Sequence, residues 1–236
     1  MTSRSRKRTL VLIAVCAAVA SIGVIGSGAA SARSTAAAAT CPDADTILQA
    51  RSAFPSDNSG LGRYLRNQFA VPRAVLCLIN AERTARGIPP LHYWITLRGS
   101  RFRNGLRTAA QLHALNAVSH RWWLIKEEWP EGTTIPSQHD DPVTKSTIAS
   151  RIADAGYCRG PHTWLQVAEN VYAGTGYGST PAAAVYWWMH SKSHRDTILD
   201  PKLEETAIAV VVGNAHVNHE ADTPAATFVE TFGTCK

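Results

Sequence analysis

The chain has no Cys-x-x-Cys pair, no His-Glu-x-x-His and no Gly-x-Ser-x-Gly. The first absence rules out a zinc site built from paired cysteines. The second removes the helix-borne metal pair of the zinc proteases. The third removes the strand-to-helix elbow that exposes a nucleophilic serine. The glycine-rich stretch Gly174 to Gly178 is followed by neither a lysine nor a helix of the right type, so it does not cradle phosphate. No internal repeat is visible, which excludes solenoids and propellers.

A long apolar run is also scarce, with one exception at the N-terminus. Arg4, Arg6, Lys7 and Arg8 form a positive head, Leu10 to Ile25 is apolar, and Ala30-Ser31-Ala32 is a small-residue cleavage site. These features read as a secretory signal peptide over residues 1–32, removed on export, with no stable membrane anchor left behind. The short apolar stretch and the valine before Cys16 argue against a lipoprotein. The whole chain has 24 basic and 18 acidic residues; taking away the four leader cations leaves a net charge of only +2. No basic run survives to suit a nucleic acid.

About 200 residues remain, enough for one domain with a proper core. Four cysteines remain with them, Cys41, Cys77, Cys158 and Cys235. An even number in an exported chain points to two disulfides, for which three pairings exist. Cys41–Cys77 is favoured because it would staple the N-terminal segment to the first core helix. Cys158–Cys235 would tie the chain's last residues to a helix end.

Residues 33–70 read as a linker and N-terminal extension, with short helices near Thr46 to Ala50 and Leu61 to Phe69. The compact domain is expected over 71–236. Val71, Val75, Leu78 and Ile79 keep helical spacing, and Gly87 stops that helix. A second helix is expected from Ser100 to Trp123, a loop over 126–143, and a third helix from Lys145 to Ala155. Gln166 to Ala173 reads as a strand. Thr180 can cap the next helix, with Pro181 at its first position. Ala207 to Val212 and Thr227 to Phe232 are further strands. The pattern is α+β, with helices flanking a small, late, mainly antiparallel sheet.

Two pieces place an ionisable group inside apolar surroundings: Ala168-Glu169-Asn170-Val171-Tyr172, and Trp187 to Arg195, which contains His194. Such groups are costly unless paired or functional. His190 and His194 have the i, i+4 spacing of a metal pair, but Lys192-Ser193 looks like a helix break between them. His113 and His120, seven apart, share a helix face. The tryptophan pairs Trp122-Trp123 and Trp187-Trp188 read chiefly as core anchors, with a ligand groove as the other use.

The ordered set of motifs says more than any one of them. Leu76-Cys77-Leu78-Ile79-Asn80-Ala81-Glu82-Arg83 is followed by Gly87-Ile88-Pro89-Pro90-Leu91. Then come Arg151-Ile152-Ala153-Asp154-Ala155-Gly156-Tyr157, Ala168-Glu169-Asn170, Trp188-Met189 and Ser193-His194-Arg195-Asp196. This order resembles the CAP superfamily (SCP/TAPS, or pathogenesis-related-1, domain) in its bacterial secreted form, over roughly residues 71–233. The resemblance implies an α-β-α sandwich with a central cleft of two histidines and two acids, which in several members binds a divalent metal.

By motif, Glu169 matches one acid and His194 one histidine, with Ser193 in place of the family's glycine. His139 is preferred over His120 as the other histidine, because it directly precedes the turn-like Asp140 to Thr144; that choice implies an insertion at Leu124 to Gln138. The second acid falls near Ser191, so the tetrad is incomplete. The resemblance therefore implies a cleft of His139, Glu169 and His194 that can hold zinc or another divalent cation. The expected role is a secreted, monomeric protein that binds an extracellular lipid, glycan or protein through this cleft. A metal-assisted hydrolase is the second expectation; it would need a general base that the sequence does not name.

Overall fold

In a computed structural model, the described residues are 41–93, 105–124, 137–160, 162–216 and 224–236. The expected signal peptide, residues 33–40, most of the 126–143 loop and His219 lie outside them. Five α-helices and four strands follow one another among the described residues: α1 (Asn58–Thr84), β1 (His92–Tyr93), α2 (Gly105–His120), α3 (Ile148–Asp154), β2 (Trp164–Thr175), α4 (Pro181–His190), α5 (Lys192–Ile198), β3 (Glu205–Val212) and β4 (Ala225–Cys235). No helix among these residues is long and apolar enough to cross a membrane.

The strands form one sheet in the order β1-β3-β4-β2. β4 pairs antiparallel with both β2 and β3, and the short β1 adds in parallel to β3. Because side chains alternate across a strand, each face of the sheet buries its own set. On one face Phe228, Phe232, Ile208 and Val210 pack with Val75 and Ile79 of α1, Trp188 of α4 and Ile198 of α5. On the other face Val171, Ala209 and Val229 meet Ala110, Ala114 and Ala117 of α2, and Ala207 meets Ile152 of α3. The product is an α-β-α sandwich, as the motif order implied.

The first helix differs from expectation. The separate segments foreseen on either side of Val71-Pro72 are one helix of 27 residues, with Pro72 inside it. An interior proline removes one hydrogen bond and costs roughly 3 kcal/mol. Val71, Ala74, Val75, Leu78 and Ile79 are all buried on this helix, and the burial of such a stripe outweighs that penalty. Asp57 caps it, accepting from the Gly60 N–H. The stretch foreseen as a helix near Thr46 to Ala50 is irregular, lying between a turn at 42–45 and a short 3-10 helix at Arg51–Ala53.

Both expected disulfides form, Cys41–Cys77 and Cys158–Cys235. The first pins the N-terminal segment to α1. The second fastens the end of β4 to the turn after α3, where Cys158 takes a left-handed backbone with φ of 56°. Gly105 begins α2 where it meets this turn: a Cβ there would lie 2.3 Å from the Tyr157 nitrogen.

Candidate functional site

The site is built around the edge strand β2. Glu169 and Asn170 are neighbours on it, so their side chains leave the sheet on opposite faces. Glu169 points toward α2 and α3, and Asn170 toward α5. Both residues are buried.

The Glu169 carboxylate has no exposed surface and is held from three directions. Arg151 of α3 sends one guanidinium nitrogen, Nη2, to both oxygens, 2.9 Å from Oε1 and 3.0 Å from Oε2. His139, from the turn before α3, donates from Nδ1 to Oε1 at 3.1 Å. His113 of α2 lies with Nε2 3.6 Å from the same oxygen. Burial works to raise the Glu169 pKa, but the His139 hydrogen bond and the basic groups His113 and Arg151 hold it below the usual carboxylate value. A carboxylate only accepts, so His139 carries its proton on Nδ1.

Local sequence explains how Arg151 and His139 reach this point. Thr147 caps α3 in a capping box with Ser150, which fixes the start of the helix bearing Arg151. Asp141 accepts from the backbone of Val143 and Thr144, which closes the turn after His139. The same arginine donates to the Ser146 carbonyl at 3.1 Å, so it ties that turn to the carboxylate.

His194 approaches from the other side of β2. Thr180 caps α4 and Pro181 opens it, and the helix stops at Ser191, whose backbone is extended. Ser191 then serves as N-cap of α5 without a side-chain cap bond. Its hydroxyl instead shares a 2.7 Å hydrogen bond with His194 Nδ1. Asn170 holds this turn to the sheet by donating to the His194 carbonyl at 3.2 Å. Trp188 does the same one turn earlier, donating from Nε1 to the Val171 carbonyl at 3.0 Å. Burial, and then the charge of nearby His139, push His194 down to about 4. It is therefore a neutral imidazole near pH 7.

The three residues expected to share a cleft thus stand in this order around the edge of β2. His139 bonds directly to Glu169 and lies near enough to His194 for its charge to act on it. His139 is partly open, with 31% of its side chain exposed, against none for Glu169. Beside His194 stands Trp187, 46% exposed, with ring centroids 4.8 Å apart. His120, the competitor, is exposed and bonds only to the Asn116 carbonyl of its own helix. His190 bonds to the Tyr186 carbonyl, also within its own helix, and forms no pair with His194.

Two members of this network, Arg151 and His113, were not foreseen as site residues. Arg151 was visible only as part of a motif, and His113 only as a position on a helix face. The available signal was chemical: a buried glutamate needs a cation, and Arg151 leads the motif just before it. His113 is fully buried, and its Nε2 donates to the Gln138 carbonyl at 2.9 Å. Burial holds its pKa below the ordinary value.

The residues do not fit a tightly held metal ion. Both oxygens of Glu169 lie within hydrogen-bond distance of a guanidinium, so an ion there would sit beside a buried positive charge. Ser191 replaces the second acid and bonds to His194. Among the described residues no group of three or more His, Cys, Asp or Glu side chains is arranged to hold a metal.

Comparison with known proteins bears on the same region. The model of the cysteine-rich secretory protein family, CAP, matches residues 76–235. No curated protein matches the chain. Among solved structures, an extracellular protein containing an SCP domain from Bacillus anthracis is 15% identical, with a TM-score of 0.42, over 76% of this chain and 44% of that one. An outer surface protein of Borrelia burgdorferi is 14% identical, with a TM-score of 0.43, over 67% of this chain and 87% of that one. A cysteine-rich secretory protein of Staphylococcus aureus is 17% identical, with a TM-score of 0.36, over 69% and 38%. The chain therefore spans less than half the length of the first and third of these. Likenesses at this level carry no weight beside the family match.

Proposed function

The chain belongs to the CAP, or cysteine-rich secretory protein, family, and on that premise we propose that it is an exported binding protein whose cleft, lined by His139 and His194 and backed by buried Glu169, takes an extracellular lipid, glycan or protein ligand. The observation that carries this reading is the built orientation of His139. A buried carboxylate, itself neutralised by Arg151, holds one edge of an imidazole whose side chain is about one-third exposed. A buried carboxylate that aims a histidine in this way makes it a fixed recognition group. Neutral His194, the Ser191 hydroxyl and the half-exposed Trp187 ring supply the polar and stacking contacts beside it.

Export is supported by the N-terminal leader pattern and by the two disulfides, which persist in oxidising compartments. Hydrolysis has less behind it. Glu169 is already engaged, and His194, pushed down to about 4, is a weak base near neutral pH.

Native mass spectrometry of the mature protein, incubated with lipid extracts and with cell-wall fragments, tests the proposal. A retained ligand that is lost in His194→Ala and in Trp187→Ala is the expected result. A cleft that stays empty across these extracts, or retention that both variants share with wild type, refutes it.

A further inference from the structure

In this family the cleft invites a metal, yet the carboxylate of this chain already has a cation. Arg151 Nη2 lies within hydrogen-bond distance of both Glu169 oxygens, and its side chain is only 7% exposed. The guanidinium is fixed at its other end, where Nη1 donates to the Ser146 carbonyl at 3.1 Å. An ion approaching Glu169 would have to displace a buried arginine that keeps its charge at any ordinary pH. It would otherwise sit beside that charge in a low-dielectric setting. The remaining donors are the Nε2 atoms of two imidazoles, whose Nδ1 atoms are held by Glu169 and Ser191. Two nitrogen ligands leave half a tetrahedral shell to water.

Resting on the reading of the cleft given above, we infer that Arg151 takes the place of a divalent ion in this chain, so that the cleft holds no resident metal and ligands meet its imidazole and hydroxyl groups directly. Arg151 is then a positioning residue. It neutralises Glu169, and Glu169 aims His139. Removing the guanidinium frees an oxygen of Glu169 beside His139 and His113, where a zinc ion would gain a carboxylate ligand.

The test titrates zinc chloride into the untagged, disulfide-intact mature protein in competition with a chromophoric chelator. Wild type is expected to take up no zinc at micromolar concentration. Arg151→Met is expected to bind zinc at least roughly tenfold more tightly, and its Tm should rise with zinc while that of wild type stays still. The Arg151→Met/Glu169→Gln double variant should lose the gain, and Arg151→Lys, which keeps the cation, should behave as wild type. Wild type that binds one equivalent of zinc and loses it in His139→Ala overturns the inference. So does a folded Arg151→Met protein with unchanged zinc affinity. If Arg151→Met does not fold, the wild-type titration still decides. Zinc uptake is measured without the extract ligands, so failure of the binding proposal and failure of this one are separate results.

Discussion

Replacing Glu230 by glutamine should remove a strong pH dependence from the stability of the fold. Glu230 lies on β4 between Phe228 and Phe232, on the face that packs against α1, and its side chain is completely buried. Oε1 accepts from the Thr206 hydroxyl at 2.9 Å, while Oε2 has no hydrogen-bond partner among the described residues. Arg83 is near enough for its charge to be felt, but its guanidinium is spent on the carbonyls of Pro89, Ile198, Asp200 and Leu203. Burial therefore dominates and raises the Glu230 pKa to about 8.

The folded protein keeps a proton on this group that the unfolded chain releases near pH 4.5. Stability from Glu230 is thus complete below about pH 4.5 and falls as pH rises toward 8. The slope is about 1.4 kcal/mol per pH unit, and the total on the order of 5 kcal/mol, a large share of a domain's stability. Histidines 113 and 194, both held neutral, act in the opposite sense at lower pH, so the wild-type curve alone is a mixture. The difference between wild type and Glu230→Gln isolates the glutamate. Urea unfolding of both proteins, with disulfides intact, should be run from pH 5 to pH 9. The variant should be no more stable than wild type at pH 5 and several kcal/mol more stable at pH 9. Curves that stay parallel over this range would refute the reasoning.

Other expectations follow from single contacts. Trp188→Ala removes a fully buried ring and its hydrogen bond to Val171, and should lower stability by about 3–5 kcal/mol in the same urea assay. Asn170→Ala frees the His194 turn from β2, so ligand retention should weaken much more than Tm falls. Gly105→Ala drives a Cβ into the backbone of Tyr157 and should yield little folded protein, whereas Gly87→Ala, at φ of 71° but in open space, should cost only about 1 kcal/mol, read from Tm. Selective loss of Cys158–Cys235, which closes a loop across 77 positions, should destabilise by about 2–5 kcal/mol in denaturant.

Much of this molecule could be read along the chain. Helix ends follow from local chemistry: Thr180 before Pro181 caps α4, and it does so whatever packs against it later. The strands β3 and β4 are rich in β-branched and aromatic residues, and the two disulfides form as favoured from the sequence. Glu169 and His194 stood out because charge and imidazole are conspicuous in apolar text.

Other features depended on which distant surfaces meet. Pro72 reads locally as a helix boundary, and only the buried stripe around it carries α1 through. No local pattern marks Glu230 as buried, and its burial comes from α1 lying over that face. His139 was preferred to His120 for the turn-like run that follows it; the turn closed by Asp141 brings the first to Glu169, while the second stays on the outer surface of α2. The capture of Glu169 by Arg151 required α3 to pack against β2. Local sequence sets where elements begin and end, because caps and turns act over a few residues. Which charge meets which is decided by packing, because a buried ion pair exists only once two remote segments have excluded water from between them.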